Sequence, residues 1–158
     1  MYRTVNDFLN DWSISAQGTL KVLQSLTDDK LDQAIVEGHN TLGWLGWHLA
    51  NSPAFFMEQI GLKFSPPGDP EQVPSRAEEI VNAYSKVAEE VKLVIEQNLD
   101  DEKIVEAVDT FAGKVPRGAM LRTLIDHQTH HRGQMTVLLR QAGLHVPGVL
   151  GPTKEGNL

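Results

Sequence analysis

Leu124-Ile125-Asp126-His127-Gln128-Thr129-His130-His131-Arg132-Gly133-Gln134 is the stretch on which the fold turns. In its wider setting, Met120, Leu124, His127, His131, Met135 and Leu138 recur at spacings of four, three, four, four and three. That is the period of an amphipathic helix with one buried stripe. Pro116 suits the first turn of this helix and Gly143 suits its end. His127 and His131 leave the same face one turn apart, in the middle of the stripe. His130 lies ~80° from the midpoint of that pair, at ~100° per residue, so it flanks the stripe or faces solvent.

Working outward, three more helices can be read. Val5, Phe8, Leu9, Trp12, Ala16, Leu20, Leu23 and Leu26 form one apolar stripe, predicting a first helix from Thr4 to Leu26. Asp28, Asp29 and Gly38 mark a connector, with one short turn over Asp29 to Ile35. Asn40 is a good N-cap for a second helix that ends near Gly61. Its central stripe is Leu45, His48, Ser52, Phe55 and Gln59, with Trp44, Leu49, Phe56 and Ile60 beside it. Pro53 should free the carbonyl of Leu49 and bend this helix. Leu62 to Pro74 contains four prolines and one glycine and reads as a loop. Ser75 with Glu78 three residues on is a capping-box pattern opening a third helix toward Leu99. From Asp100 to Val115 the signals are mixed: Val105, Ala107 and Phe111 fit a short strand pair or a loop. The tail from about 143 is irregular, broken by Pro147, Gly148, Gly151 and Pro152.

Four helices without a convincing sheet predict an all-α fold, a four-helix bundle. The loop between helices two and three reaches ~40 Å if extended. A helix of twenty residues is ~30 Å long, so parallel and antiparallel arrangements of helices two and three both remain open. At 158 residues the chain is most simply a single domain, 1–158, with one core. A formal charge of −7 and a pI near 5.3 supply no basic footprint for nucleic acid. No apolar run approaches a membrane span. Met1-Tyr2-Arg3-Thr4-Val5-Asn6-Asp7 is followed by no apolar signal-peptide core, which fits a cytoplasmic location. There are no cysteines, which excludes disulfides, thiolate ligands and a cysteine nucleophile.

The histidines carry the chemistry. His48 lies on the second helix's stripe between Leu45 and Ser52, and His127 and His131 lie on the last. Three imidazoles on the core faces of two helices can converge on one divalent transition-metal ion. A buried histidine is otherwise a hydrogen-bonded core residue, and two adjacent polar rings in one core need partners. His39 and His145 fall in a loop and in the tail and receive no role. Gln134, one turn from His131, is placed either to orient a ligand or as a partly exposed bundle residue. Trp44, Trp47, Phe55 and Phe56 could wall a pocket, although core packing is the more ordinary use.

Three segments together resemble a known family: Leu26-Thr27-Asp28-Asp29-Lys30-Leu31, Gly43-Trp44-Leu45-Gly46-Trp47-His48-Leu49, and Asp126-His127-Gln128-Thr129-His130-His131-Arg132-Gly133-Gln134. The order is similar to that of the DinB/YfiT-like family of damage-inducible helical bundles regarded as metalloenzymes. The last motif is its specific part. The resemblance implies an up-down-down-up bundle with a long crossover loop between helices 2 and 3. It implies a divalent metal, nickel or zinc, on His48, His127 and His131, and a homodimer. Three neutral imidazoles leave such an ion its full charge and at least one open position. The resemblance further implies a small-molecule substrate and a transferase that uses a low-molecular-weight thiol cosubstrate, since this chain has no thiol of its own. A metal-dependent hydrolase and a non-catalytic, stress-related metal-binding bundle are the alternatives.

Overall fold

The computed structural model describes residues 1–155. Its long helices are α1 (Val5–Leu23), α2 (Leu42–Gln59), α3 (Ala77–Asn98) and α5 (Arg117–Gln141). A single-turn helix, α4 (Asp101–Ile104), and a two-stranded antiparallel hairpin, β1 (Ala107–Thr110) and β2 (Gly113–Pro116), fill the stretch of mixed signals. The strand-pair reading therefore holds for Ala107, while Val105 caps the end of α4 and Phe111 sits in the turn. A 3-10 turn at Asp28–Lys30 is all the regular structure in the α1–α2 connector.

Hydrogen bonds at the two ends of the bundle establish its topology. At one end Gly43 N–H donates to Leu31 O at 2.8 Å, and Ala77 N–H donates to Asp28 Oδ1 at 2.7 Å. The end of α1 and the starts of α2 and α3 therefore meet. At the other end Tyr2 N–H donates to Gly118 O at 3.0 Å, Val5 N–H to Asp101 Oδ1 at 2.8 Å, and the Arg117 side chain to Ile60 O at 3.0 Å. There the starts of α1 and α5 meet the ends of α2 and α3. The order is up-down-down-up, and the 60–76 crossover runs the length of α2. Trp47 Nε1 pins that crossover midway, donating to Asp69 O at 2.8 Å. Each long helix packs on two neighbours, in the cycle α1, α3, α2, α5, around one continuous apolar core.

Several boundaries differ from the sequence reading for local reasons. The N-cap of α2 is Thr41, not Asn40, its hydroxyl accepting from Trp44 N–H at 3.1 Å. The capping box at Ser75 does not form. The N-cap position of α3 is Arg76, which pairs with Glu78 at 2.8 Å, and Asp28 of the connector takes the exposed Ala77 N–H instead. A carboxylate there also suits the positive end of the helix dipole. α1 stops at Leu23, three residues short of Leu26. Pro116 closes β2 immediately before α5 begins. Gly143, with φ of 71°, stops α5 in the left-handed conformation that suits glycine.

The largest difference is the buried face of α5. Its enclosed residues include Leu121, Leu124, Gln128, Arg132, Met135 and Leu139. His127 and His131 are only half-buried and face α2 from the edge of the stripe, not from the bundle centre. Gln128 takes the central position because both its amide nitrogen and its amide oxygen find partners. Its Nε2 donates to Leu49 O at 3.3 Å, and its Oε1 accepts from Tyr84 Oη–H at 2.8 Å and from Thr19 Oγ1–H at 3.3 Å. Leu49 O is the carbonyl that Pro53 withholds from the helix ladder. One side chain thus joins all four long helices at one level, where an unmatched amide would be costly.

Candidate metal centre

The hub at Gln128 fixes the register of α5 against α2, and this register sets the histidines. His127 precedes Gln128, and His48 precedes the Leu49 whose carbonyl Gln128 reads. The two rings meet with Nε2 atoms 3.1 Å apart. His131, one turn further along α5, brings its Nε2 to 3.1 Å from that of His127. The three ligand atoms all lie within 4.8 Å of one another.

An imidazole nitrogen has one in-plane direction, for either a lone pair or a proton. His127 Nε2 faces two ring nitrogens, and hydrogen bonding serves both only by sharing one proton or one lone pair between them. A metal ion satisfies all three together. With metal–nitrogen distances of about 2.0–2.1 Å, ligand nitrogens stand about 2.9–3.4 Å apart for angles of 90–110°. The two 3.1 Å separations fall inside this range. The donor set therefore fits a divalent transition metal, and no cysteine or carboxylate joins the group among the described residues.

Each ring is held from behind. Trp44 stacks on His48, centroids 4.8 Å apart and planes 9° from parallel. Phe56 meets His127 edge-on at 5.3 Å. Gln134 Oε1 lies 2.7 Å from His131 Nδ1. With the amide oxygen as acceptor, Nδ1 carries the proton and the Nε2 lone pair is free for the cluster, the usual support for a ligating histidine. His127 Nδ1 is buried without a partner among the described residues. His130 is exposed and touches His131 only at its ring edge, 4.9 Å away.

Burial, then the neighbouring His131, holds the His48 pKa down at about 4. Burial and the adjacent His131, His48 and His130 hold His127 at about 3. Burial lowers His131 as well, against the bond from Gln134. All three rings are therefore neutral at pH 7, the form that ligates.

Of the four aromatic residues read as pocket walls, Trp44 and Phe56 touch the histidines. Trp47 is buried and holds the crossover, and Phe55 is exposed beside Phe111 of the hairpin, 5.5 Å between centroids. A cleft of ≈ 330 Å³ opens beside Gln134, lined by Ile35, Asn40, Leu45, Val137 and Leu138 among others. A second of ≈ 570 Å³ reaches Trp44 and shares Gly38, His39 and Asn40 with the first. His39, given no role from sequence, thus stands at the junction of both. No helix is long and apolar enough to cross a membrane among the described residues.

Comparison with known proteins bears on the family and the fold. The DinB family model matches residues 1–156. The uncharacterized protein YrdA of Bacillus subtilis (strain 168) is 38% identical over 155 residues, covering 98% of this chain and 93% of that protein. The crystal structure of a DinB-like protein from Bacillus cereus ATCC 10987 superposes with a TM-score of 0.90 at 41% identity, covering 94% of this chain and 99% of the other. A second DinB-like protein, YjoA of B. subtilis, shares the fold at a TM-score of 0.71 and 20% identity, covering 96% and 99% of the two chains. On the whole-chain match of its sequence, the protein belongs to the DinB family.

Proposed function

We propose that His48, His127 and His131 hold one divalent transition-metal ion, nickel or zinc, and that the protein is a metal-dependent enzyme acting on a small molecule. The observation that carries this is the convergence of three Nε2 atoms, which protons alone reconcile only through one shared, three-centre bond. An open position on the ion follows from the absence of a fourth ligand among the described residues, and this favours catalysis over a purely structural ion. Bound there, the metal would supply Lewis acidity, lowering the pKa of a water or thiol or polarising a carbonyl. The chain's own part is to keep the rings neutral, to fix the His131 tautomer through Gln134, and to admit substrate through the clefts beside Gln134 and Trp44. Within this reading the reaction is a group transfer in which a low-molecular-weight thiol is the nucleophile. The chain has no cysteine, so the thiol arrives as cosubstrate.

Elemental analysis of protein purified without added metal tests the first step, with near one equivalent expected. The cobalt-substituted protein tests the second. Addition of a biological thiol should produce a sulfur-to-cobalt charge-transfer band. A metal-loaded protein whose spectrum ignores every thiol would leave the hydrolytic reading in its place. The same proposal includes a homodimer, which sedimentation equilibrium would read as twice the chain mass.

A further inference from the structure

Arg132 is the one charged side chain in the buried set of the described residues, 4% exposed. Its partners are all neutral. Nη1 donates to Ser15 O at 2.8 Å, Ser15 Oγ at 3.2 Å and Thr19 Oγ1 at 3.1 Å, and Nη2 donates to Thr129 Oγ1 at 3.2 Å. A guanidinium carries five N–H groups. Nε–H and the second hydrogen of Nη2 find no acceptor among the described residues, and no carboxylate forms an ion pair with Arg132 there. Buried charges in proteins are ordinarily paired.

A cleft lies against this side chain, between α5 and the tail, with a volume of ≈ 230 Å³. It is separate from the histidine clefts, being reached from the α5 face that carries Arg132, Thr136 and Arg140. Val146, Pro147, Val149 and Leu150 form its tail wall. Arg132 and Arg140 are its charged members, and Arg140 is already held by Glu155 at 2.7 and 3.2 Å. One positive charge therefore remains uncompensated, against mostly apolar walls. That combination favours a monoanion with an apolar body over a strongly hydrated dianion such as phosphate. The volume falls below the ~300–1,000 Å³ of sites for drug-sized ligands, which limits the guest to roughly the size of benzoate or hexanoate. We propose that this cleft binds a small apolar monocarboxylate, with the carboxylate on the unused N–H groups of Arg132.

The test is a ¹⁵N-NMR titration with sodium benzoate, on zinc-loaded and on chelator-treated protein. Benzyl alcohol and inorganic phosphate serve as controls. Saturable shifts at Thr136, Val149 and Gly151 are expected in both samples, with each control binding about tenfold more weakly. Arg132→Met should abolish the shifts. Because that variant also loses bonds to α1 and so changes stability, Leu150→Glu provides a second arm. Leu150 is 79% exposed at the rim, so its replacement should leave the melting temperature unchanged. The added carboxylate should weaken benzoate binding about fivefold. Shifts confined to Trp44, His48 and Gln134 that vanish on chelation would mean that benzoate binds the metal instead, and would overturn the proposal. Equal binding by wild type and Leu150→Glu, or no saturable shift in either sample, would overturn it too.

Discussion

His127 and Gln128 are neighbours on α5, yet they put polar atoms to opposite uses. On the inner face, Gln128 is fully enclosed and its amide oxygen and nitrogen are both matched by Tyr84, Thr19 and Leu49. About 100° around the helix, His127 and His131 are half-buried, and their Nε2 atoms crowd His48 so that protons serve them only through a shared bond. Gln128, the inner group, finds its partners within the protein and acts as scaffold. The histidine cluster, the outer group, is left with nitrogens crowded on one another. Burial and hydrogen-bond partners together separate the two uses.

The most severe way to break this comparison is to remove the outer group. In a His127→Ala, His131→Ala double variant, metal content by elemental analysis should fall to background while far-UV circular dichroism still shows the helices. His130→Ala should keep its metal. Full occupancy in the double variant would place the ion elsewhere.

Removing the inner group should cost stability instead. Gln128→Leu strands Tyr84 Oη in the core and leaves Leu49 O only a 3.5 Å contact from Ser52, while Thr19 Oγ1 keeps Ser15 O and Arg132; each unsatisfied group costs about 1–3 kcal/mol. Partial relaxation leaves an expected loss of about 2–4 kcal/mol in urea unfolding of chelator-treated protein. A loss under about 0.5 kcal/mol, the size of an ordinary surface substitution, would show that the hub is not what joins the helices.

Gln134 sharpens the comparison because it is exposed yet belongs to the outer group. Gln134→Ala should weaken metal binding by about 10–100-fold, measured by competition with a chelator, and leave unfolding of the metal-free protein unchanged. Gln134→Glu retains an acceptor for His131 Nδ1–H and should bind metal at least as tightly as wild type.

Acidification should give the smallest effect. In metal-free protein His48 and His127 hold off protons until about pH 4 and about pH 3, whereas in the unfolded chain they take them up near 6.5. The unfolded state binds more protons throughout that interval. Stability is therefore complete above 6.5 and is lost as pH falls toward 4 and then 3. Urea midpoints should drop between pH 7.5 and pH 5, by less in His127→Phe than in wild type. Equal drops would show that other groups carry the pH response.

The bundle and the three histidines were legible in the sequence because helix period and the His-x-x-x-His spacing are local signals. The crossover topology came through the family resemblance, since loop length alone allowed both directions. What the sequence concealed was which polar residues lie inside. Gln128 and Arg132 do not join the stripe because hydropathy scores the side chain alone, and their burial depends on partners on other helices 44 to 117 residues away. One clue was present: Pro53 announced a free carbonyl at Leu49 without indicating which donor would answer it. Ser75 misled for the opposite reason. Its capping pattern was intact, but Asp28, distant in sequence, supplied the acceptor first.

The crossover also divides the site. His48 belongs to the α1–α2 half of the chain, while His127 and His131 belong to the α3–α5 half, with residues 60–76 as the sole covalent bridge between α2 and α3. A nick in that exposed bridge would yield two fragments, each carrying an incomplete set of ligands. Their reassembly would then respond to metal concentration, because the ion joins groups from both pieces. Split in this way, the molecule becomes a pair of complementary fragments, and the histidine cluster becomes a clasp whose strength can be read as an association constant.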